Sequence, residues 1–276
     1  MASILIDMPD KEECANYLRK EGIFEYFAEI ESKPYGIFDA VDSQNDIPFY
    51  PEPEDLYRLH KLVRERKVFN VLEFGLGYST IVMADALMKN KNDYVCGGSK
   101  PDVRIRKPFT LYSVDANKYW IDRFSKLYRN LPLFNCIELS HSDCIIGEHN
   151  DQICHFYSAI PDVIADFIYL DGPGRGDVKG SINGVSFENC IERPVAGGDL
   201  LKLESTFLPG TFILIDGRTN NARFLQNNFK RNYQIIHDEN QDVTAIELTE
   251  PPLGKINRAQ IEYSLGKDYF DRLNKI

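Results

Sequence analysis

Seven short apolar runs punctuate the chain from residue 68 onward: Val68–Phe74, Phe109–Asp115, Phe134–Leu139, Asp166–Asp171, Thr211–Asp216, Tyr233–His237 and Val243–Leu248. Amphipathic stretches lie between them, at Thr80–Met88, Lys118–Arg129, Gly198–Leu208 and Asn220–Lys230. Strand-length apolar runs alternating with helical segments predict a parallel sheet covered on both faces. The last two runs differ. Only His237–Asp242 lies between them, too little for a crossover helix, so they predict an antiparallel hairpin.

The first 67 residues follow another pattern. Helices are predicted around Lys11–Lys20 and Phe24–Glu31, then a loop-rich stretch ending Ile47-Pro48-Phe49-Tyr50-Pro51. A third helix opens on Glu52, Glu54 and Asp55 and closes near Lys67 on Lys61, Arg64 and Arg66, the polarity that the helix dipole favours. The expected organisation is an N-terminal helical extension over 1–54, an α/β domain over 55–250 and a tail over 251–276.

Composition narrows the function classes. Hydrophobic residues make up 43% and charged residues 27%, a globular balance without the signature of disorder. The net charge of −10 repels phosphate backbones, so nucleic acid is not an expected partner. No apolar run approaches the roughly 20 residues of a membrane span, and no basic-then-apolar leader opens the chain. The expectation is a soluble, cytoplasmic protein with no membrane partner. Six dispersed cysteines, with Cys154-His155 as the one adjacent Cys/His pair, suit buried thiols better than disulfides or zinc.

The sharpest local feature is Val71-Leu72-Glu73-Phe74-Gly75-Leu76-Gly77-Tyr78-Ser79-Thr80, an apolar strand running through a glycine turn into a helix. Ligands of open α/β sheets sit at such strand ends. A dinucleotide fingerprint would carry its third glycine at position 80, where this chain has Thr80. The spacing acid-x-Gly-x-Gly-x-Ser instead resembles motif I of class I S-adenosylmethionine-dependent methyltransferases, with Ser79 replacing the usual last glycine. The resemblance spans roughly residues 55–250. It implies a Rossmann-like α/β fold with a seven-stranded, mostly parallel sheet and an antiparallel C-terminal hairpin. It also implies S-adenosyl-L-methionine as cofactor, bound by Glu73, Gly75, Gly77, Ser79, Thr80, Asp115 and Asp143. Glu73 would lie near the methionine amino end, Asp115 on the ribose hydroxyls and Asp143 against the adenine amino group.

Two further acids end neighbouring strands, in Leu170-Asp171-Gly172 and Ile215-Asp216-Gly217. A carboxylate there can take the proton of a methyl acceptor. Asp171 is the first choice for this role, and Asp216 would hold Asp171, the acceptor or a metal. Catechol-type and sugar O-methyltransferases bind magnesium at these strand ends through two Asp and a further Asp or Asn. Gly217 stands at that further position here, so magnesium is not favoured unless Asn220 or Asn221 reaches in. The histidines and Trp120 are read as structural, with Trp120 in the core.

Two loops are singled out. Lys89–Pro108 is an insertion whose Lys100, Arg104, Arg106 and Lys107 could bind an anionic substrate or partner. Gly172–Phe187, rich in glycine and carrying Arg175 and Lys179, is expected to gate the acceptor pocket, with Ile47–Pro51 as its opposite wall. The predicted function is methyl transfer to oxygen or nitrogen of a small metabolite or sugar, in a chain compatible with a homo-oligomer. An NAD-dependent oxidoreductase and a non-catalytic interaction protein of the same fold are the rival readings.

Overall fold

A computed structural model describes residues 4–27, 52–98, 100–190 and 192–275. Its main sheet contains β1 (Asn70–Phe74), β2 (Thr110–Asp115), β3 (Ile137–His141), β6 (Phe167–Leu170), β8 (Phe212–Asp216), β9 (Tyr233–Asp238) and β10 (Val243–Leu248). Their spatial order is β3-β2-β1-β6-β8-β10-β9. The neighbours from β3 to β8 are parallel, and β10 runs antiparallel between β8 and β9. This is the Rossmann-like methyltransferase topology expected from the sequence, closing hairpin included.

Strand alternation divides the core between two faces. Val71, Phe167, Tyr169, Phe212, Leu214, Val243 and Ala245 pack beneath α1 (Lys11–Lys20), α2 (Pro53–Glu65) and α3 (Tyr78–Cys96). Leu72, Phe74, Ile168, Leu170, Ile213, Ile215 and Ile246 face the other way, toward α5 (Asp199–Leu203) and α6 (Thr219–Asn228). The remaining crossover helix, α4 (Lys118–Tyr128), buries only Phe124. Trp120, expected in the core, is half-buried in the first turn of that helix and belongs to neither cluster.

Three elements differ from the sequence reading. Between β3 and β6 the chain forms a second sheet of β4 (Cys144–His149), β5 (Gln152–Tyr157) and β7 (Val178–Lys179). The insertion is shorter than expected, because α3 continues to Cys96 and leaves a loop over 97–108. The C-terminal tail is folded as α7 (Gly254–Ser264) and α8 (Gly266–Leu273). Of the N-terminal extension, α1 forms as expected. The second helix is a 3₁₀ turn over Ile23–Phe27 as far as it is described, and Ile47–Pro51 lies outside the described residues.

Buried polar groups fix both additions to the domain. His60 contacts Tyr17 Oη through Nδ1 at 2.8 Å and Asp85 through Nε2 at 3.0 Å, joining α1, α2 and α3. Tyr26 Oη donates to Asp85 as well, at 3.0 Å. At the other end Glu247 of β10 is fully buried. Arg272 of α8 reaches its Oε1 at 2.7 Å, and Arg66 reaches Oε2 at 2.7 Å. Removing one cation from a buried ion cluster leaves a carboxylate under-compensated, which costs about 3–5 kcal/mol. Arg272→Ala should therefore lower unfolding stability by that order in urea melts. A loss below about 1 kcal/mol would mean that α8 is held by apolar packing alone.

Candidate active site

The parallel strands point their carboxyl ends to one edge of the sheet, and the order reverses between β1 and β6. That reversal opens a crevice, the usual ligand position in open α/β sheets. Two glycines close its floor. Gly75, with φ +98°, and Gly172 lie backbone to backbone, so a Cβ on Gly75 would fall 2.7 Å from Gly172 N. Phe74 O accepts from the N–H groups of both Asp171 (3.0 Å) and Gly172 (2.6 Å). Gly75 is thus required by the protein's own packing. Gly77 is different: its backbone is extended, and a Cβ there would meet only Ser79 Oγ at 3.8 Å. Among the described residues no neighbouring atom demands glycine at 77, which leaves room for a ligand beside the turn.

Glu73 is fully buried and both its oxygens are engaged. Ser79 Oγ donates to Oε1 and Thr80 Oγ1 to Oε2, each at 2.6 Å. Thr80 Oγ1 also accepts from Gly77 N at 3.1 Å. Glu73 and Thr80, expected to face a cofactor, instead form the internal brace of the turn, because strand alternation aims Glu73 under α3. Burial pushes the Glu73 carboxyl up to about 7, against the pull of those hydroxyl donors. Ser79 remains half-exposed at the rim.

Asp115 and Asp143 are placed at successive strand ends, as anticipated. Asp115 accepts from Leu76 N (2.8 Å) and Asn117 N (2.7 Å), tying the glycine turn to the end of β2. Burial raises its carboxyl above the usual range. Each carboxylate oxygen can accept a second hydrogen bond, so capacity for hydroxyl donors remains. Asp143 is exposed just beyond β3. Tyr157, at the end of β5, leaves its buried Oη without a hydrogen-bond partner among the described residues, as Arg218 does its Nε. Buried donors left unpaired in this way call for a further partner.

The acids of β6 and β8 form a second group. Asp171 is 56% exposed. Loss of solvent, with the Asp55 and Asp115 charges, pushes its carboxyl up to about 6, while Arg218, with Nε 3.8 Å from Oδ1, pulls it down. Asp216 lies on the α2 face of the sheet with Tyr169, whose Oη donates to Oδ2 at 3.0 Å. Arg58 of α2 is buried 3.8 Å from the same oxygen and donates to Asp55 at 3.0 Å. Burial first, then the Asp55 charge, push Asp216 up to about 7, with Arg58 opposing them.

Arg58, Asp55, Tyr169 and Arg218 were not foreseen. Tyr169 carried a usable signal, since a tyrosine inside a wholly apolar strand needs a hydroxyl partner. Asp55 sits in a helix start whose acids suit the dipole, and nothing local marks Arg58.

This donor set does not suit magnesium, which needs near-octahedral oxygen ligation. Each carboxylate faces a guanidinium, and Gly217 offers no side chain. Asn221 Oδ1 is spent on Gly197 N at 2.6 Å. Among the described residues, no group of three His, Cys, Asp or Glu side chains is spaced for a metal.

The two singled-out loops lie in different places. The stretch over 97–108 connects a helix end to a strand start, so its cations lie at the pole opposite the crevice. The expected gate is stitched down: β7 pairs with β4, Val178 and Phe187 are buried, and Lys179 is committed to Glu188 at 2.9 Å.

No family model and no curated protein matches the sequence. Solved structures do resemble it in fold. One is the SAH-bound Podospora anserina methyltransferase PaMTH1, at 11% identity and TM-score 0.49, covering 89% of this chain and 99% of that one. A second is the O-methyltransferase TomG from Streptomyces achromogenes in complex with SAM, at 12% identity and TM-score 0.40, covering 88% and 92%. A methyltransferase from Geobacter sulfurreducens has 12% identity and TM-score 0.42, covering 88% and 99%.

Two measurements test this geometry. Gly172→Ala forces a Cβ into the backbone of Gly75 and should cost about 1–3 kcal/mol, as overpacking does. Gly77→Ala should stay within about 0.5 kcal/mol of the parent in urea melts; equal losses would refute the division between packing glycine and ligand-facing glycine. The second concerns pH. Glu73 and Asp216 hold protons more tightly folded than unfolded, so their contribution to stability is full below about pH 4 and is lost as pH rises to about 7. Asp216→Asn should reduce the fall in melting temperature between about pH 5 and 8. An unchanged slope would show that Asp216 does not titrate there.

Proposed function

We propose that this chain is an S-adenosyl-L-methionine-dependent methyltransferase acting on oxygen or nitrogen of a small metabolite or sugar. The observation that carries the reading is the crevice at the β1/β6 reversal, where Gly77, uncrowded by the described residues, lies in the turn tied to Asp115, with Asp143 at the next strand end. Gly77 and Ser79 would cradle the cofactor, Asp115 its ribose and Asp143 its base, while Glu73 and Thr80 keep the turn rigid from below. When bound, the cofactor supplies an electrophilic methyl group on a sulfonium.

The chain's own residues then have separable tasks. Asp171 faces the crevice and, with a carboxyl near 6, is ionised at neutral pH yet basic enough to accept a proton. Arg218 donates to the Asp171 carbonyl and stands beside its carboxylate, fixing the strand end against rotation. Asp216, steadied by Tyr169 and Arg58, orients the acceptor or adds negative charge beside Asp171. Orientation of this kind supplies much of the rate in a displacement reaction.

Calorimetry with S-adenosylhomocysteine tests the cofactor reading directly. Binding should be saturable and stronger than that of NAD, and Asp115→Ala should weaken it by about 1.5–3 kcal/mol, the worth of charge-assisted hydrogen bonds. Tight NAD binding with no response to S-adenosylhomocysteine would favour the oxidoreductase. Given an acceptor, Asp171→Asn should lower turnover about 10²–10⁴-fold with cofactor affinity nearly unchanged. The parent's rate should climb as pH rises through about 6. Full activity in Asp171→Asn would make that residue structural, and a loss restored by added magnesium would revive metal dependence.

A further inference from the structure

The pole opposite the crevice contains a second cavity. It opens where Asp166 and Thr211 lead into β6 and β8, between the loop over 97–108 and α7. Its volume is about 370 Å³, within the range of small-molecule sites. The walls are largely apolar, with Ile105 from the loop, Ile164 from the approach to β6, and Leu253 and Ile261 from the C-terminal segment. Ile164 is 49% exposed and Leu253 58%, an unusual display for large aliphatic side chains so close together.

The polar groups of this cavity fall into two kinds. Some are already satisfied: Asp166 accepts from Phe69 N and Asn70 N at 2.8 and 2.6 Å, and Arg66 serves Glu247 and Gly210 O. Others are uncommitted. Arg104 and Lys255 are exposed on the lining and make no ion pair among the described residues. Ser264 Oγ, also on the lining, is buried without a hydrogen-bond partner among the described residues. A buried hydroxyl left unpaired costs free energy unless a ligand or water completes it.

We propose that this cavity binds an amphipathic anion, an apolar chain or ring bearing one carboxylate or phosphate. Its apolar body fills the space between Ile105, Ile164, Leu253 and Ile261, and its head meets Arg104 and Lys255. Ser264 donates the remaining hydrogen bond. The site is separate from the crevice and does not depend on methyl transfer.

Titration calorimetry of the full chain with decanoate, decyl phosphate and decanol, each below its aggregation threshold, tests the proposal. Decanoate or decyl phosphate should bind at a single saturable site, and the better of the two identifies the head group. Decanol should bind about tenfold more weakly, the effect of losing a charge-assisted hydrogen bond. The double variant Arg104→Glu/Lys255→Glu, altered only at exposed positions, should keep its melting temperature and lose anion affinity about tenfold or more. Leu253→Glu should weaken all three probes. Equal affinity for anion and alcohol would overturn the proposal, as would unchanged binding in the double variant. Binding to anionic lipid vesicles without binding to the monomeric probes would overturn it in favour of a membrane surface.

Discussion

The crevice depends on one contact, the meeting of two backbones at the ends of β1 and β6. Phe74 O receives two N–H groups from the neighbouring strand end, and neither Gly75 nor Gly172 has a side chain to hold the strands apart. Because those strands abut, the glycine turn and Asp171 emerge side by side from a single edge. The brace beneath, Glu73 with Ser79 and Thr80, then fixes the angle at which α3 leaves the sheet. A larger residue at either glycine would move the turn relative to Asp171 before it touched any ligand.

Much of this fold was legible because the strands are short, apolar and separated by amphipathic helices. The main-sheet strands needed only a buried pattern and the brevity of the final connection. The second sheet was missed for the opposite reason: Cys144–His149 and Gln152–Tyr157 mix polar and apolar residues without a clear period. Their turn did carry a sign, since Asn150 and Asp151 both have positive φ, as a tight hairpin requires. The tail was missed because Gly254 and Gly266 obscure two helices whose packing rests on Ile261, Tyr269 and the ion cluster around Glu247.

The candidate site was legible where position along a strand decides function and illegible where facing decides it. Asp115, Asp143, Asp171 and Asp216 all end strands. That Glu73 and Thr80 turn inward follows from alternation within β1 and the first turn of α3, which is information about direction rather than sequence position. Which pole the basic loop occupies follows from topology rather than from its composition. A connection from helix to parallel strand always returns to the amino edge of the sheet, away from a crevice built on carboxyl edges. Partners such as Arg58 and Asp216 come from segments far apart in the chain and have no local signature.

The elevated carboxyls of the crevice have a thermodynamic consequence. Asp171 and Asp216 are raised to about 6 and 7, so near neutrality they hold a fractional complement of protons. A cation entering beside them favours their ionised forms and expels some of that complement into the solvent. An uncharged molecule of the same shape leaves the protons where they are. The heat measured for a cationic ligand then includes the ionisation enthalpy of whichever buffer takes up the released protons. The net charge of the complex accordingly rises by less than the charge the ligand brings.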